Sequence, residues 1–192
     1  MSRSPLAYFL TFGTYGTRLH GGDRLTVDRQ HNVPGTPYVR KNQRRARWER
    51  GILRFEPVML TREQQVFIEV EAPHVCERAA WGYHVAGAGP DHVHALVSAD
   101  ADGAVVRRLL KRWLGEALTA RWPLAPGQSW WAEGGSVKPV VTRDYFNRVL
   151  DYIARQRSTD APEPDRPRSG RPPGTGGPLR SPPPRPGRFR PG

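Results

Sequence analysis

The chain has 192 residues, six histidines, one cysteine and a formal net charge of +12 at pH 7. This length fits one domain with appendages, and the basic charge indicates a polyanionic partner, with nucleic acid the first candidate and an anionic membrane surface the second. The lone Cys76 excludes a disulfide within the chain and favours a reducing compartment, while no apolar run approaches the roughly 20 residues that span a bilayer.

The first half of the chain predicts one strand, a long polar insertion and one helix. Residues 6–15 are rich in aromatic and β-branched side chains and predict the first strand. Residues 16–56 are polar, with Gly and Pro at intervals, and indicate a basic loop insertion with at most short elements. Thr61 is expected to cap the following helix, which Pro73 would kink or interrupt.

The second half of the chain alternates strands and helices. Residues 81–88 and 92–98 predict two strands joined by a tight turn, and residues 137–142 predict a fourth strand. Helices are expected over residues 102–122 and 143–156, each with an apolar stripe. This order of elements predicts an α+β fold, a ferredoxin-like sandwich in which the helices pack on one face of a four-stranded antiparallel sheet. The open face of such a sheet is a common platform for single-stranded nucleic acid.

The composition changes sharply near residue 157. Residues 158–192 are dominated by Pro, Gly and Arg and contain almost no apolar side chains. Such a segment cannot bury enough apolar surface to offset its chain entropy, so we expect a disordered tail. The folded domain is accordingly predicted to span residues 1–157.

His92-Val93-His94 is the most informative motif of the chain. It lies in a segment that alternates as a strand does, so both imidazoles are expected to project to the same face. Two neighbouring imidazoles on a rigid strand form half of a site for a divalent metal, although a pair of this kind is also found in ordinary packing. The other histidines lack this spacing and are expected to be structural, with His84 able to support the site: His20, His31, His74 and His84.

The last predicted helix adds a phenol and an amide to this pattern. At about 100° per residue, Tyr145, Tyr152 and Gln156 fall on one stripe at the edge of the core-facing stripe. Tyr152 and Gln156 are neighbours on the helix surface because they are four residues apart. The phenol is a candidate nucleophile or a half-buried structural tyrosine, and the amide oxygen is a candidate metal ligand. Tyr145 is the rival nucleophile, but Val149 stands four residues after it and cannot bind a metal.

His92-Val93-His94, followed by Tyr152-Ile153-Ala154-Arg155-Gln156, resembles the single-tyrosine HUH transposases, which include transposases of insertion sequences. Within them the chain is most similar to the REP-associated tyrosine transposases, and the resemblance covers residues 5–157. It implies nicking and joining of single-stranded or hairpin DNA through a 5′-phosphotyrosine intermediate, with Mg²⁺ or Mn²⁺ as cofactor. Carried over residue by residue, it makes Tyr152 the nucleophile and makes His92, His94 and Gln156 the metal ligands.

The chain departs from the pattern of that family at two places. Gly89-Pro90-Asp91 stands where the family usually has Met-Pro-Asn, and Arg157 stands where a proline often follows the amide. Both changes leave the predicted ligands in place. The resemblance also implies a monomer or a homodimer that exchanges the tyrosine helix.

Positive charge is concentrated in two segments, which are either solvated surface or contacts to DNA phosphates. The candidates for DNA binding are Arg40, Lys41, Arg44, Arg45, Arg47, Arg107, Arg108, Lys111 and Arg112. Lys111 is also a candidate, beside a metal or a water, for assisting the proton of the tyrosine. Trp130 and Trp131 could stack on unpaired bases, but a core position is favoured for at least one of them.

The sequence therefore favours a cytoplasmic, nucleoid-associated DNA transposase, that is, a tyrosine-dependent endonuclease and strand transferase for single-stranded DNA. Two rivals remain. One is a non-cleaving module, derived from such an enzyme, that binds hairpin DNA or RNA. The other is a metal-dependent phosphodiesterase that uses water as its nucleophile.

Overall fold

The structure, a computed structural model, describes residues 4–19 and 42–158. The strands are β1 (Ala7–Gly13), β2 (Gly82–Gly89), β3 (His92–Ser98) and β4 (Ser136–Val140), and the helices are α1 (Gln43–Gly51), α2 (Arg62–Arg78), α3 (Gly103–Arg121) and α4 (Arg143–Ala154). The predicted elements occur in the predicted order, and the polar insertion contributes the short helix α1. The rest of that insertion and the predicted tail beyond Ser158 lie outside the described residues. Within the described ranges, none of the helices combines the length and the apolar character needed to cross a bilayer.

The four strands form one antiparallel sheet in the order β2-β3-β1-β4. The hairpin of β2 and β3 pairs with β1, and β1 in turn pairs with β4. The predicted α+β class with a four-stranded antiparallel sheet is therefore confirmed. β4 is an edge strand of five residues, and Pro139 within it lies opposite Tyr8 of β1.

Side chains cap the beginnings of the helices. Thr61 accepts a hydrogen bond from the backbone of Gln64, and the Gln64 side chain accepts one from the backbone of Thr61, which completes a capping box for α2. Asp102 caps α3, and Thr142 caps α4. In each case the side chain of the cap residue accepts hydrogen bonds from backbone N–H groups of the first turn. Pro73 lies inside α2, which continues without interruption to Arg78. Proline lacks one backbone donor, but Ala72, Val75 and Cys76 next to it are buried in the core. This packing holds the helix together at Pro73.

Buried apolar side chains lie on both faces of the sheet. The main core lies between one face and the helices α2 and α3, and it includes Leu10, Phe12, Val93, Ala95, Ile68, Leu110 and Leu114. A smaller core lies between the other face and α4, and it comprises Ala7, Val85, Leu96, Val140, Phe146, Val149 and Ile153. α4 thus departs from the expected packing of all helices on one face. Successive side chains of a strand point to opposite faces, and these strands carry apolar side chains on both faces. α4 therefore buries the apolar side chains of the second face.

Candidate active site

β3 carries the two histidines on the face that α4 covers. His92 and His94 are two residues apart on the strand and point the same way, and their ring centroids are 4.7 Å apart. In the register of the hairpin, Gly89 of β2 lies opposite His92, and Gly87 lies opposite His94. A Cβ atom at Gly89 would come within 2.7 Å of the His92 ring. The glycine therefore makes the space that this imidazole occupies.

Each histidine is oriented by a hydrogen bond at Nδ1. His92 Nδ1 is 2.8 Å from Asp91 Oδ1, and His94 Nδ1 is 2.8 Å from Thr11 Oγ1. An ionised carboxylate only accepts, so His92 Nδ1 donates to Asp91, and the neutral ring then carries its lone pair on Nε2. A carboxylate behind an imidazole is typical of histidines that ligate metals. With Thr11 as the acceptor, His94 presents the same tautomer.

His94 is held neutral by its surroundings. Burial is the largest cause that lowers its pKa from 6.5 to about 3, and the neighbouring charges of His92 and Arg18 lower it further. Its exposed fraction is 7%. A neutral imidazole is the form that ligates a divalent cation. Arg18 follows β1 and had not been singled out in the sequence, because nothing there indicates that it turns back towards the histidines.

α4 brings Tyr152 to the histidines. Its hydroxyl oxygen is 3.5 Å from His94 Nε2, and Phe9 of β1 contacts both rings. The side chain remains 45% exposed. Gly87 permits this approach, since a Cβ there would lie 3.1 Å from the carbonyl oxygen of Ile153, the residue after Tyr152. A phenol and two imidazoles that are far apart in the sequence therefore meet within one chain.

Gln156 lies just beyond the end of α4 and is exposed. Together with Tyr152 it lines an open cavity of about 400 Å³, and the other lining residues are Arg148, Asp151 and Arg155. The structure thus joins Gln156 to Tyr152 through a shared surface, while its role as a metal ligand stays a prediction. Arg148 and Arg155 stand four residues before and three after Tyr152, a helical spacing that places them on its side and could have indicated them from the sequence.

The donor atoms at this site fit a divalent metal with several open positions. Within residues 4–19 and 42–158, no group of three or more His, Cys, Asp and Glu side chains could hold a metal ion. A metal on His92 and His94 would take its other ligands from an amide such as Gln156, from water or from substrate oxygens. Such a set of nitrogen and oxygen donors suits Mn²⁺ or a similar divalent ion.

The candidate DNA-binding residues of the insertion lie in part on α1. Arg44 and Arg47 are exposed there, and Arg45 forms an ion pair with Glu49 at 3.1 Å. Arg40 and Lys41 are outside the described residues. Trp48, on the same helix, is 65% exposed. α1 therefore presents arginines and one aromatic ring to solvent.

The candidates on α3 lie on the other side of the sheet from the histidines. Arg107, Arg108 and Lys111 line a second cavity of about 360 Å³, whereas Arg112 pairs with Glu116 at 2.8 Å. The α3 surface is therefore basic but is separated from Tyr152 by the sheet.

The Lys111 side chain stabilises the fold through hydrogen bonds to the backbone. Its ammonium group donates to the carbonyl oxygens of Ala132 and Gly134 at 2.6 and 2.8 Å, and it lies 5.9 Å from the ring centroid of Phe12 in the main core. Burial, followed by the charge of Arg107, lowers the pKa of Lys111 to about 8. The interpretation of Lys111 as a group that assists the tyrosine proton is therefore wrong, because it lies beneath the opposite face.

Trp130 and Trp131 are both core residues, with exposed fractions of 5% and 7%. Trp130 Nε1 donates to Thr119 Oγ1 at 3.0 Å, and Trp131 Nε1 donates to the carbonyl oxygen of Lys111 at 2.7 Å. Neither ring is presented for stacking on bases. His84 contacts Ser98 and Phe146 near the other end of β3, so its role is structural.

Comparison with known proteins gives a distant structural likeness. No family model matches the chain, and no curated protein matches it either. A crystal structure from Deinococcus radiodurans R1, described as a putative transposase, is similar with a TM-score of 0.46 and 15% sequence identity. The similarity covers 81% of this chain and 93% of that one.

Proposed function

We propose that this chain is a metal-dependent DNA strand transferase that nicks and rejoins single-stranded or hairpin DNA through a 5′-phosphotyrosine intermediate. The observation that carries the proposal is the convergence of Tyr152 with His92 and His94. The phenol oxygen lies 3.5 Å from His94 Nε2, and the two imidazole rings are adjacent. A nucleophile beside a candidate metal site is the arrangement that phosphoryl transfer to a side chain requires.

The proposed reaction exchanges one phosphoester bond for another. The Tyr152 oxygen attacks the scissile phosphorus in line, and the DNA 5′-phosphate becomes esterified to the tyrosine. The bond from phosphorus to the 3′-oxygen breaks, and this oxygen leaves as a 3′-hydroxyl by taking up a proton from solvent. Attack by a 3′-hydroxyl on the phosphotyrosine reverses these bond changes and joins the strands. The ester is retained throughout, so joining needs no nucleotide.

The residues around the phenol have separable tasks in this reaction. A Mg²⁺ or Mn²⁺ ion held by His92, His94 and Gln156 would withdraw electron density from the phosphorus and orient the scissile bond. Asp91 and Thr11 keep the two imidazoles in the ligating tautomer. The hydroxyl proton of the attacking tyrosine passes to solvent, which reaches this half-exposed side chain.

Positive charge near the site favours a polyanionic substrate. Arg148 and Arg155 line the same cavity as Tyr152, and the charge of Arg18 acts on His94. These side chains would hold phosphates next to the scissile bond, and the arginines of α1 would hold the stem of a hairpin. A single chain supplies the phenol and both imidazoles, so we propose that the site is assembled within a monomer. The proposed place of action is nucleoid DNA in the cytoplasm.

The test is covalent capture of DNA. Purified protein is incubated with Mn²⁺ and single-stranded or hairpin oligonucleotides labelled on either side of the nick, and adducts stable in SDS are separated by electrophoresis. We expect Tyr152→Phe to abolish the adduct, because it removes the attacking oxygen and keeps the ring. Tyr145→Phe is the matched control on the same helix and should retain the adduct.

Each alternative outcome points to a different function. An adduct that persists in Tyr152→Phe refutes the assignment of the nucleophile. Cleavage that survives in Tyr152→Phe without an adduct indicates a phosphodiesterase that uses water. Binding of hairpins that weakens with salt, without any cleavage under Mg²⁺ or Mn²⁺, indicates the non-cleaving module.

A further inference from the structure

We infer that Glu69 is a positioning residue: its buried carboxylate fastens the segment after α4 to the hairpin that carries the histidines, and so sets the placement of Tyr152 against His94. This inference rests on the proposed function for its kinetic consequence, but the fastening itself does not depend on any activity. Glu69 belongs to α2, and only 1% of it is exposed. It contacts neither the phenol nor the imidazoles directly.

One oxygen of Glu69 joins two distant parts of the chain. Glu69 Oε1 accepts a hydrogen bond from the backbone nitrogen of Ala88 at 3.0 Å and from that of Ser158 at 2.6 Å. Hydrogen bonds to an ionised acceptor are about twice as strong as neutral ones. The other oxygen, Oε2, lies 3.8 Å from Arg157 Nε. A carboxylate buried to this extent needs such partners, so its position is coupled to theirs.

Ala88 places this contact at the level of the histidines. It lies opposite Val93 in the hairpin, and its neighbours Gly87 and Gly89 lie opposite His94 and His92. β2 is an edge strand of the sheet, where backbone donors and acceptors need partners from outside the sheet. Glu69 supplies the acceptor for Ala88 and thereby fixes the strand beside the two imidazoles.

Ser158 places the same contact at the exit of the tyrosine helix. It is 3% exposed, two residues after Gln156 and six after Tyr152. Its hydroxyl oxygen is 3.0 Å from the carbonyl oxygen of Ala88 and 2.7 Å from Gln65 Oε1. The described fold therefore extends one residue past the predicted boundary at 157. This residue, Ser158, contacts the edge strand β2 at Ala88.

A second contact ties this network to the turn before His92. Gln65 Nε2 donates to the carbonyl oxygen of Leu60 at 2.9 Å, and the backbone nitrogen of Leu60 donates to the carbonyl oxygen of Pro90 at 2.7 Å. Pro90 is in the turn that leads into His92. Ser158 is therefore connected to β2 directly and to the turn of the hairpin through Gln65 and Leu60.

This connection has a consequence for the reaction. Misplacement of a reacting group by about 1 Å can cost on the order of 100-fold in rate. If α4 loses its fastening at Ser158, the phenol shifts relative to the histidines together with Arg148 and Arg155, while the arginines of α1 that would hold a hairpin stem stay in place. The expected signature is a slower chemical step with unchanged affinity for DNA.

The experiment compares Glu69→Leu, which removes both acceptor oxygens, with Glu69→Gln, which keeps one. We expect Glu69→Leu to slow single-turnover adduct formation about 10- to 100-fold, with the Kd for a hairpin oligonucleotide in EDTA within about twofold of the original. Glu69→Gln should recover most of the rate, because its amide oxygen can still accept from Ser158. Ile68→Val, a conservative change at the fully buried neighbouring residue, is the control for general loosening of α2 and should change neither value.

A second measurement follows the fastening without DNA. Hydrogen exchange measured by mass spectrometry should accelerate over residues 150–158 in Glu69→Leu and not in Ile68→Val. Ser158→Pro removes the backbone donor to Glu69 together with the hydroxyl that contacts Ala88 and Gln65, leaves Glu69 itself unchanged, and should reproduce the effect if Glu69→Leu does not fold.

Three results would overturn the inference: unchanged exchange in both Glu69→Leu and Ser158→Pro, a loss of rate matched by an equal loss of affinity, or the same loss of rate in Ile68→Val. Failure of the unaltered protein to form any adduct would instead count against the proposed function, and the exchange measurement would still decide the fastening.

Discussion

The buried, neutral state of His94 predicts that acid destabilises the metal-free protein. The pKa of this imidazole is about 3 in the folded protein, whereas the unfolded chain has an ordinary value of about 6.5. Between these values the unfolded chain binds a proton that the folded protein does not. The contribution of His94 to the free energy of unfolding is therefore fully present above pH 6.5, and it is lost as the pH falls towards 3.

The size of the effect follows from the same two values. Each pH unit below 6.5 costs about 1.36 kcal/mol for one such group, so lowering the pH from 7 to 5 should remove about 2 kcal/mol of unfolding free energy through His94 alone. The groups that face the ring are His92 beside it, Arg18 after β1, Tyr152 of α4 and the uncharged Thr11 of β1. The charge of Arg18, and that of His92 when its ring is protonated, add to burial in disfavouring the protonated His94 ring.

Urea unfolding in EDTA at pH 7 and pH 5 measures this cost. His94→Gln is the matched variant, since its amide can hydrogen-bond to Thr11 but does not titrate. We expect the unaltered protein to lose about 2 kcal/mol more than His94→Gln over this interval. Parallel losses in the two proteins would refute the reasoning, because they would show that His94 takes up its proton in the folded state.

Two further predictions concern the metal and the DNA. Asp91→Asn should weaken Mn²⁺ binding about 10- to 100-fold, because the amide orients His92 less strongly than the carboxylate does; titration calorimetry measures this, and an unchanged affinity would remove Asp91 from the site. Arg44→Ala combined with Arg47→Ala should lower the slope of log affinity against log salt by up to about two for hairpin DNA, if each arginine meets one phosphate. Fluorescence anisotropy gives the slope, the exposed Arg62→Ala is the control, and an equal change in that control would argue against a contact specific to α1.

Local patterns in the sequence were sufficient for the order of the elements and for the faces on which the candidate site residues lie. Strand alternation placed His92 and His94 on one face, and helical spacing placed Tyr152 at the edge of the buried stripe of α4. The cap at Thr61 was also predicted, because a cap depends on residues close to it in the sequence. In each case the relevant partners are close in the sequence, where periodicity carries the information.

Contacts between distant residues were not predictable in this way. Periodicity shows that α4 has a buried stripe, but not which face of the sheet receives it. Lys111 was therefore assigned near the phenol, although it lies under the opposite face. The bond between Glu69 and Ser158 joins residues 89 positions apart, and neither residue belongs to a motif. The need for glycine at position 87 likewise becomes apparent only from the packing of α4 against it.

Pro139 has a consequence for how this protein behaves at high concentration. An outer strand with regular donors and acceptors can template pairing with another molecule, which leads to aggregation. β4 is short, it carries a lysine at position 138, and proline at 139 takes one amide hydrogen away from that border. These features disfavour the addition of further strands at the β4 edge of the sheet, which is the edge away from the hairpin that carries the histidines.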